Sequence, residues 1–239
     1  MLRPGSKLNG RYEIQSVLGE GGMGFVYLAL DQTLGGKKVA VKEMAVQIQR
    51  AEDKARALRQ FREEAHLLAA LEPPRLVPVS DFFQERDNAY LVMAFVDGQT
   101  LAQAMGQSDL TLRQIVSWID QIAEVLEFLH QQQPPVLFRD LKPSNVMLDR
   151  RGQVRLIDFG IARTLEAGQS TNTFLKGAGT AEFAPVEQFG GRGTDPRSDI
   201  YSLGATMYNL LTCDLPPISV DVMAGEAAPP APRALNLSL

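Results

Sequence analysis

Ahead of Val96 the apolar residues of this chain recur mostly at every second position, one helical stretch excepted, and behind it the spacing of three or four dominates. One sheet or one helical bundle cannot satisfy both periods. The chain therefore predicts two parts, a strand-rich one over residues 1–96 and a mostly helical one over residues 97–239. The break falls at Phe95-Val96-Asp97-Gly98, where Asp-Gly interrupts the alternation. A length of 239 residues suits one large domain or two small lobes, with ample material for a core.

Five segments of the first part read as strands: Arg11 to Leu18, Phe25 to Leu30, Lys38 to Met44, Leu76 to Phe83 and Ala89 to Phe95. In the first of them Tyr12, Ile14 and Leu18 are expected on one side. Gln49 to Leu71 reads as the one main helix, with Leu58, Phe61, Ala65, Leu68 and Leu71 as its buried stripe. Between the first two strands runs Gly19-Glu20-Gly21-Gly22-Met23-Gly24, which has the G-x-G-x-x-G spacing. In a dinucleotide-binding fold a helix follows these glycines, whereas here a β-rich, aromatic segment follows. A glycine loop between two strands can lay bare backbone N–H groups over phosphates, and a plain flexible hairpin fits the same residues. In the third strand Ala40 and Lys42 share a face, which can roof a planar ring and reach a phosphate. A surface lysine at a strand end is the commoner use of such a residue. Glu64, at the edge of the helical stripe, can turn inward to meet Lys42, while Glu63 points to solvent.

In the second part Thr111 to His130 is a long helix with Ile115, Ile119, Ile122, Leu126 and Leu129 on one stripe, ended by Pro134 and Pro135. Asp140, Lys142 and Asn145 follow, between two strand-like apolar runs, Val136 to Phe138 and Val146 to Leu148. On such a loop an Asp can accept a proton, a Lys can steady phosphate charge and an Asn oxygen suits a hard cation. An ordinary turn would also use Asp and Asn. Gln153 to Gly160 reads as a strand that delivers Asp158 toward the same loop as Asn145. Residues 161–187 are rich in Thr, Ser and Gly and lack periodicity, which in a compact domain marks a functional segment. A helix over Asp195 to Leu211 starts at Thr194-Asp195-Pro196, with Ile200, Leu203, Met207 and Leu210 as its expected buried stripe and Asp199 in the first turn, where the helix dipole favours a carboxylate. From Cys213 onward the proline-punctuated chain reads as loop.

A net charge of −4 argues against nucleic acid as a partner. The single cysteine, Cys213, forms no internal disulfide and suits a reducing compartment. No apolar run approaches the ~18 residues that cross a bilayer, and Met1 to Lys7 lacks a signal-peptide core. The expectation is a cytoplasmic protein with no membrane segment in this chain.

Together these segments resemble the bacterial, eukaryotic-like serine/threonine protein kinase catalytic domain, with the motifs in family order from about Leu8 to the C-terminus. Gly19 to Gly24 with Val26 resembles the Gly-rich loop, and Val39-Ala40-Val41-Lys42 the strand whose lysine meets the α- and β-phosphates. Phe138-Arg139-Asp140-Leu141-Lys142-Pro143-Ser144-Asn145 resembles the catalytic loop, and Asp158-Phe159-Gly160 the magnesium-binding motif. The resemblance implies an α+β, two-lobed fold with a five-stranded antiparallel sheet and one main helix ahead of a helical lobe. It implies ATP and Mg²⁺, with protein Ser/Thr hydroxyls as acceptors. Asp140 would take or orient the hydroxyl proton, Lys142 steady the γ-phosphate, Asn145 and Asp158 hold Mg²⁺, and Lys42 pair with Glu64. Leu18, Gly19, Gly21, Gly22, Gly24, Val26, Ala40, Met93, Ala94, Val96 and Met147 would contact the nucleotide, with Met93 at the back of its pocket and Ala94 to Val96 at the hinge. Thr180 resembles the threonine that contacts Asp140 and Lys142.

Arg139 ahead of Asp140 implies switching by loop phosphorylation. Thr171 and Thr173 are the expected autophosphorylation sites, through self-association, and Ser170 is the rival. Phe138 stands where the family has His or Tyr, and keeps apolar stacking. Glu187 keeps the family glutamate in register, but its arginine partner and the last helices of the lobe are expected to lie outside a chain that stops at Leu239. A truncated lobe of that kind leaves a second reading, a nucleotide-binding scaffold without transfer.

Overall fold

The computed structural model describes residues 1–21, 24–45, 62, 65, 69, 71, 74–86, 88–107, 110–157, 181–189 and 193–236. The chain divides into two compact units: Met1–Glu72 with Val77–Val96, and Pro73–Leu76 with Asp97–Leu239.

The first unit is built on an antiparallel sheet of six strands: β1 (Lys7–Leu8), β2 (Tyr12–Gly21), β3 (Gly24–Asp31), β4 (Lys37–Ala45), β5 (Val79–Glu85) and β6 (Asn88–Ala94), in the order β1-β2-β3-β4-β6-β5. The sequence predicts five of these. The sixth, β1, is two residues long, too short to show a period, and exists because Leu8 pairs with Tyr12. β5 begins later than expected because Leu76 bridges to Leu156 in the second unit.

One face of the sheet is apolar. Tyr12, Ile14, Tyr27, Ala29, Val39, Val41, Tyr90 and Val92 are buried there together with Leu8, and Leu2 packs against them. Tyr12, Phe83 and Tyr90 stack in series, with ring centroids 5.7 and 5.2 Å apart. Leu18 departs from the expectation. Register shifts between Ile14 and Ser16 and between Val17 and Gly19 move it off the face, so Val17 packs against the cluster and Leu18 is 47% exposed. The expected helix is represented by Arg62, Ala65 and Ala69, which are helical, with Ala65 buried. Leu71 lies outside the helix, and Leu58, Phe61, Leu68 and Glu64 lie outside the described residues.

The second unit holds a three-stranded sheet, β7 (Gly98–Thr100), β8 (Val146–Asp149) and β9 (Val154–Leu156). Its helices are α1 (Leu101–Met105), α2 (Leu112–His130), α3 (Val186–Phe189), α4 (Pro196–Thr212), α5 (Ser219–Ala224) and α6 (Pro232–Leu235). Gly98 is dictated by proximity: a Cβ there would collide with the backbone carbonyl of Leu148. Thr111 and Gln114 close a capping box at the start of α2, and Asp195 and Ser198 do so at α4, whose first residue is Pro196.

Two expectations about helices fail in this unit. The tail beyond Cys213 is not all loop, because α5 and α6 form in it. Each is too brief to show a period, and each is tied back by a side chain: Ser219 Oγ donates to the Ala184 carbonyl at 2.8 Å, and Asn236 Nδ2 to that of Leu211 at 2.8 Å. The second failure is α4, which buries a different face from the one expected. Ile200 is 54% exposed, Leu203 and Met207 are half-buried, and of that stripe only Leu210 is buried. The buried face carries Ser198, Asp199, Ser202, Ala205, Thr206 and Asn209 instead. Burying that face is tolerable where its polar atoms are bonded, as when Ser202 Oγ donates to the Phe183 carbonyl at 2.8 Å.

Candidate active site

Each unit gathers one group of the residues singled out by sequence. In the first, β4 pairs without interruption with β6 and β3, so its alternation is strict. Lys42 lies between Val26 on β3 and Leu91 on β6, and Ala40 lies between Leu28 and Met93. Residues paired across antiparallel strands share a face. Val26, Ala40, Lys42 and Met93 therefore meet on one face of the sheet, opposite the apolar cluster of Val39 and Val41. Gly19 pairs with Val26, and Gly21 with Gly24. Gly24 holds a φ of 136°, a conformation that a side chain disfavours. Leu18 sits in the bulge just before Gly19. Ala94 donates its N–H to Pro78 and pairs with Val39, so alternation turns its side chain away from Met93. Ala94 and Val96 are half-buried.

In the second unit Asp140, Lys142 and Asn145 converge. The Lys142 Nζ lies 3.2 Å from Asp140 Oδ2, and Asn145 Nδ2 donates to the same oxygen at 2.9 Å and to the Asp140 carbonyl at 2.7 Å. Pro143–Asn145 forms a single 3-10 turn that brings Asn145 round to Asp140. Asn145 is only 6% exposed. With its amide nitrogen committed to Asp140, the atom it turns the other way is its oxygen, the type of donor a small hard cation takes. Its backbone carbonyl accepts from the Ile157 N–H at 3.1 Å, which fixes the chain one residue ahead of Asp158. Met147 follows in β8, half-buried, between Thr100 and Arg155. Among the described residues no three His, Cys, Asp or Glu side chains gather as a metal site. Gly22, Glu64, Asp158, Ser170, Thr171, Thr173 and Thr180 lie outside the described residues.

Val136 to Phe138, expected as a strand, forms none, because its N–H groups are engaged elsewhere. Val136 donates to the Leu129 carbonyl at 3.0 Å, and Phe138 to Asp199 Oδ2 at 2.9 Å. The next N–H, that of Arg139, donates to Asp199 Oδ1 at 2.8 Å, and His130 Nε2 lies 2.8 Å from Oδ2. A fully buried carboxylate on α4 thus holds the backbone immediately ahead of Asp140. That backbone is strained: Arg139 has a φ of 66°, in a turn closed by the Asp140 N–H donating to Phe138 at 2.9 Å. Gln188 Nε2 donates to the Arg139 carbonyl at 3.3 Å from the other side.

Sequence reasoning placed Asp199 at a helix start and missed this anchoring role, along with those of His130 and Gln188. A signal existed. Ser198, Ser202, Thr206 and Asn209 follow one another at intervals of three to four, so α4 carries a polar stripe beside its apolar one. Glu187, expected to lack its arginine partner, accepts from Ser198 Oγ at 2.5 Å.

Comparison with known proteins follows this geometry. Residues 12–224 match the family model described as the protein kinase domain. The chain is 40% identical over 242 residues to a probable serine/threonine-protein kinase, SCO3848, of Streptomyces coelicolor, covering 96% of this chain and 35% of that protein. It is 37% identical over 246 residues to the serine/threonine-protein kinase PknB of Mycobacterium tuberculosis, covering 98% and 38%. The chain thus spans little more than a third of the length of these relatives. Among solved structures, the apo form of PpkA-294 superposes with a TM-score of 0.79 at 28% identity, covering all of this chain and 91% of that one. The Mycobacterium tuberculosis PknI kinase domain superposes with a TM-score of 0.75 at 25% identity, covering all of this chain and 87% of that one.

Proposed function

We infer the activity from one premise: this chain belongs to the protein kinase domain family. It transfers the γ-phosphate of ATP to Ser or Thr hydroxyls of protein substrates. The observation that carries this reading is the single oxygen, Asp140 Oδ2, approached by both Lys142 and Asn145. A lysine there can neutralise a transferring phosphoryl group, while the carboxylate stays positioned as proton acceptor.

The substrate hydroxyl oxygen bonds to the γ-phosphorus as the bond to the β,γ-bridging oxygen breaks. The hydroxyl proton passes to Asp140, and ADP leaves. Asn145 and Asp158 would hold Mg²⁺, which would neutralise charge on the phosphates. Lys42, paired with Glu64 as the family pattern implies, would orient the α- and β-phosphates. By the family pattern Gly19, Gly21, Gly22 and Gly24 would cover the phosphates, and Leu18, Val26, Ala40, Met93, Ala94 and Val96 of the first unit would contact the adenine. Thr180 resembles the threonine that would steady Asp140 and Lys142. Lysine two places after the Asp is the serine/threonine pattern.

Autophosphorylation between copies at Thr171 or Thr173 completes the reading, and phosphopeptide mapping tests it: modification found only elsewhere refutes those sites. Among the described residues no helix is long and apolar enough to cross a membrane. A cytoplasmic setting accords with Cys213, an exposed free thiol that a reducing compartment preserves. The scaffold reading has no observation in its favour, and the relatives are named as kinases.

Incubation with labelled ATP, Mg²⁺ and a generic protein substrate tests the activity. Asp140→Asn should lower label transfer by about 10²–10⁴-fold. Tight ATP binding with no transfer by the unaltered chain would overturn the reading.

A further inference from the structure

We propose that Glu43 is a positioning residue for Lys42, acting through a hydrogen-bonded crossbar on the opposite face of the sheet. The proposal rests on the reading of Lys42 as the lysine that meets the phosphates. Glu43 is the next residue along β4 and is only 6% exposed. It continues the face of Val39 and Val41, where an apolar side chain would extend the pattern. A carboxylate buried there is costly unless it is bonded, and the phosphotransfer chemistry does not use it.

Its bonding is extensive and comes from both sides. Tyr27 on β3 donates its hydroxyl to Glu43 Oε2 at 2.6 Å. On β6, Asn88 Nδ2 donates to Oε1 at 2.7 Å and the Tyr90 hydroxyl to the same oxygen at 3.2 Å. These are the two strands that flank Lys42, through Val26 and Leu91. The crossbar therefore lies one residue along from the lysine and spans the same three strands. Its position suits the need. β4 ends at Ala45, and strand ends open most easily, so the last residues of β4 gain most from a second set of cross-strand bonds. Fixing Glu43 to both neighbours holds the pleat, and with it the direction in which Lys42 leaves the backbone.

Burial raises the Tyr27 and Tyr90 hydroxyls above their ordinary values, which keeps both protonated and able to donate. The crossbar also reaches the start of the chain, because the Leu2 N–H donates to the Tyr27 oxygen at 3.0 Å.

The test is acylation of Lys42 by an acyl phosphate of ATP, read by mass spectrometry of the Lys42 peptide. Free ATP serves as protectant, and circular dichroism reports the folded fraction. Glu43→Gln keeps the shape but loses the charge and one acceptor, and should slow protectable labelling about tenfold, within the coupling range of neighbouring residues. Tyr27→Phe removes one donor and should slow it by about twofold or more. Folded Glu43→Gln labelled at the unaltered rate overturns the proposal. If Glu43→Gln is unfolded at the assay temperature, Tyr27→Phe decides by the same criterion. Absence of ATP-protectable labelling in the unaltered chain would instead refute the reading of Lys42, and the proposal with it.

Discussion

Asp199→Asn is the substitution that probes the anchoring of the catalytic loop most directly. The carboxylate is fully buried and accepts from two backbone N–H groups, Phe138 at 2.9 Å and Arg139 at 2.8 Å, with His130 Nε2 at 2.8 Å. An asparagine of the same shape keeps one acceptor oxygen, so at least one donor must face an NH₂ group. Each bond to a charged acceptor is worth about 1.5–3 kcal/mol, and an orphaned buried donor costs about 1–3 kcal/mol. Losing one such bond and weakening a second amounts to about 2–4 kcal/mol, a large part of an ordinary domain's stability of about 5–15 kcal/mol. The second unit should melt about 4–16 °C lower, at about 2–4 °C per kcal/mol. The effect should also be local. The left-handed turn at Arg139 loses the bonds that hold it, so hydrogen exchange at the Phe138 and Arg139 amides should rise first. Phosphotransfer should fall with ATP binding retained, since Asp140 is displaced and the β4 face is untouched. A melting temperature within about 1 °C of the original, with both amides still protected, would refute the reasoning.

Further outcomes follow from the same structure. Gly98→Ala should destabilise by about 1–3 kcal/mol in denaturant titration, because the new Cβ meets the Leu148 carbonyl and forces β7 from β8; an unchanged midpoint would contradict that packing. Tyr12, Tyr27 and Tyr90 are raised above their ordinary value, chiefly by burial, so the neutral form is favoured in the fold. Their contribution should be complete below about pH 10 and lost as pH rises beyond it. Asp31 is lowered, first by its hydrogen bonds from Arg11, so its contribution should be complete above about pH 4 and lost as pH falls. Unfolding followed against pH checks both limbs, and Arg11→Ala should flatten the acid one.

The strands of the first unit were readable because one face is apolar and the other is not, and steric alternation alone arranges that. Ala40 and Lys42 could be placed on one face from spacing, and the structure adds Val26 and Met93 through cross-strand pairing. The Gly loop, the Asp140 loop and its Lys and Asn were legible because their chemistry lies within six consecutive residues. Leu18 was misplaced because a bulge shifts register without a compositional mark. The helix face of α4 was misjudged because an apolar stripe ordinarily turns inward, and here a polar stripe does so.

By itself the sequence determined the change of period near Val96 and the order of the motifs, and it singled out the side chains proposed to serve phosphate, proton and cation. These depend on residues close together along the chain, where backbone sterics and side-chain chemistry act without distant help. The tertiary structure decided what holds them. Asp199 reaches the backbone of Phe138 from 61 residues away, and Tyr27 and Tyr90 reach Glu43 from 16 and 47 residues away. A buried carboxylate finds its donors by the packing of whole elements, and no local pattern of residues records which donors those will be.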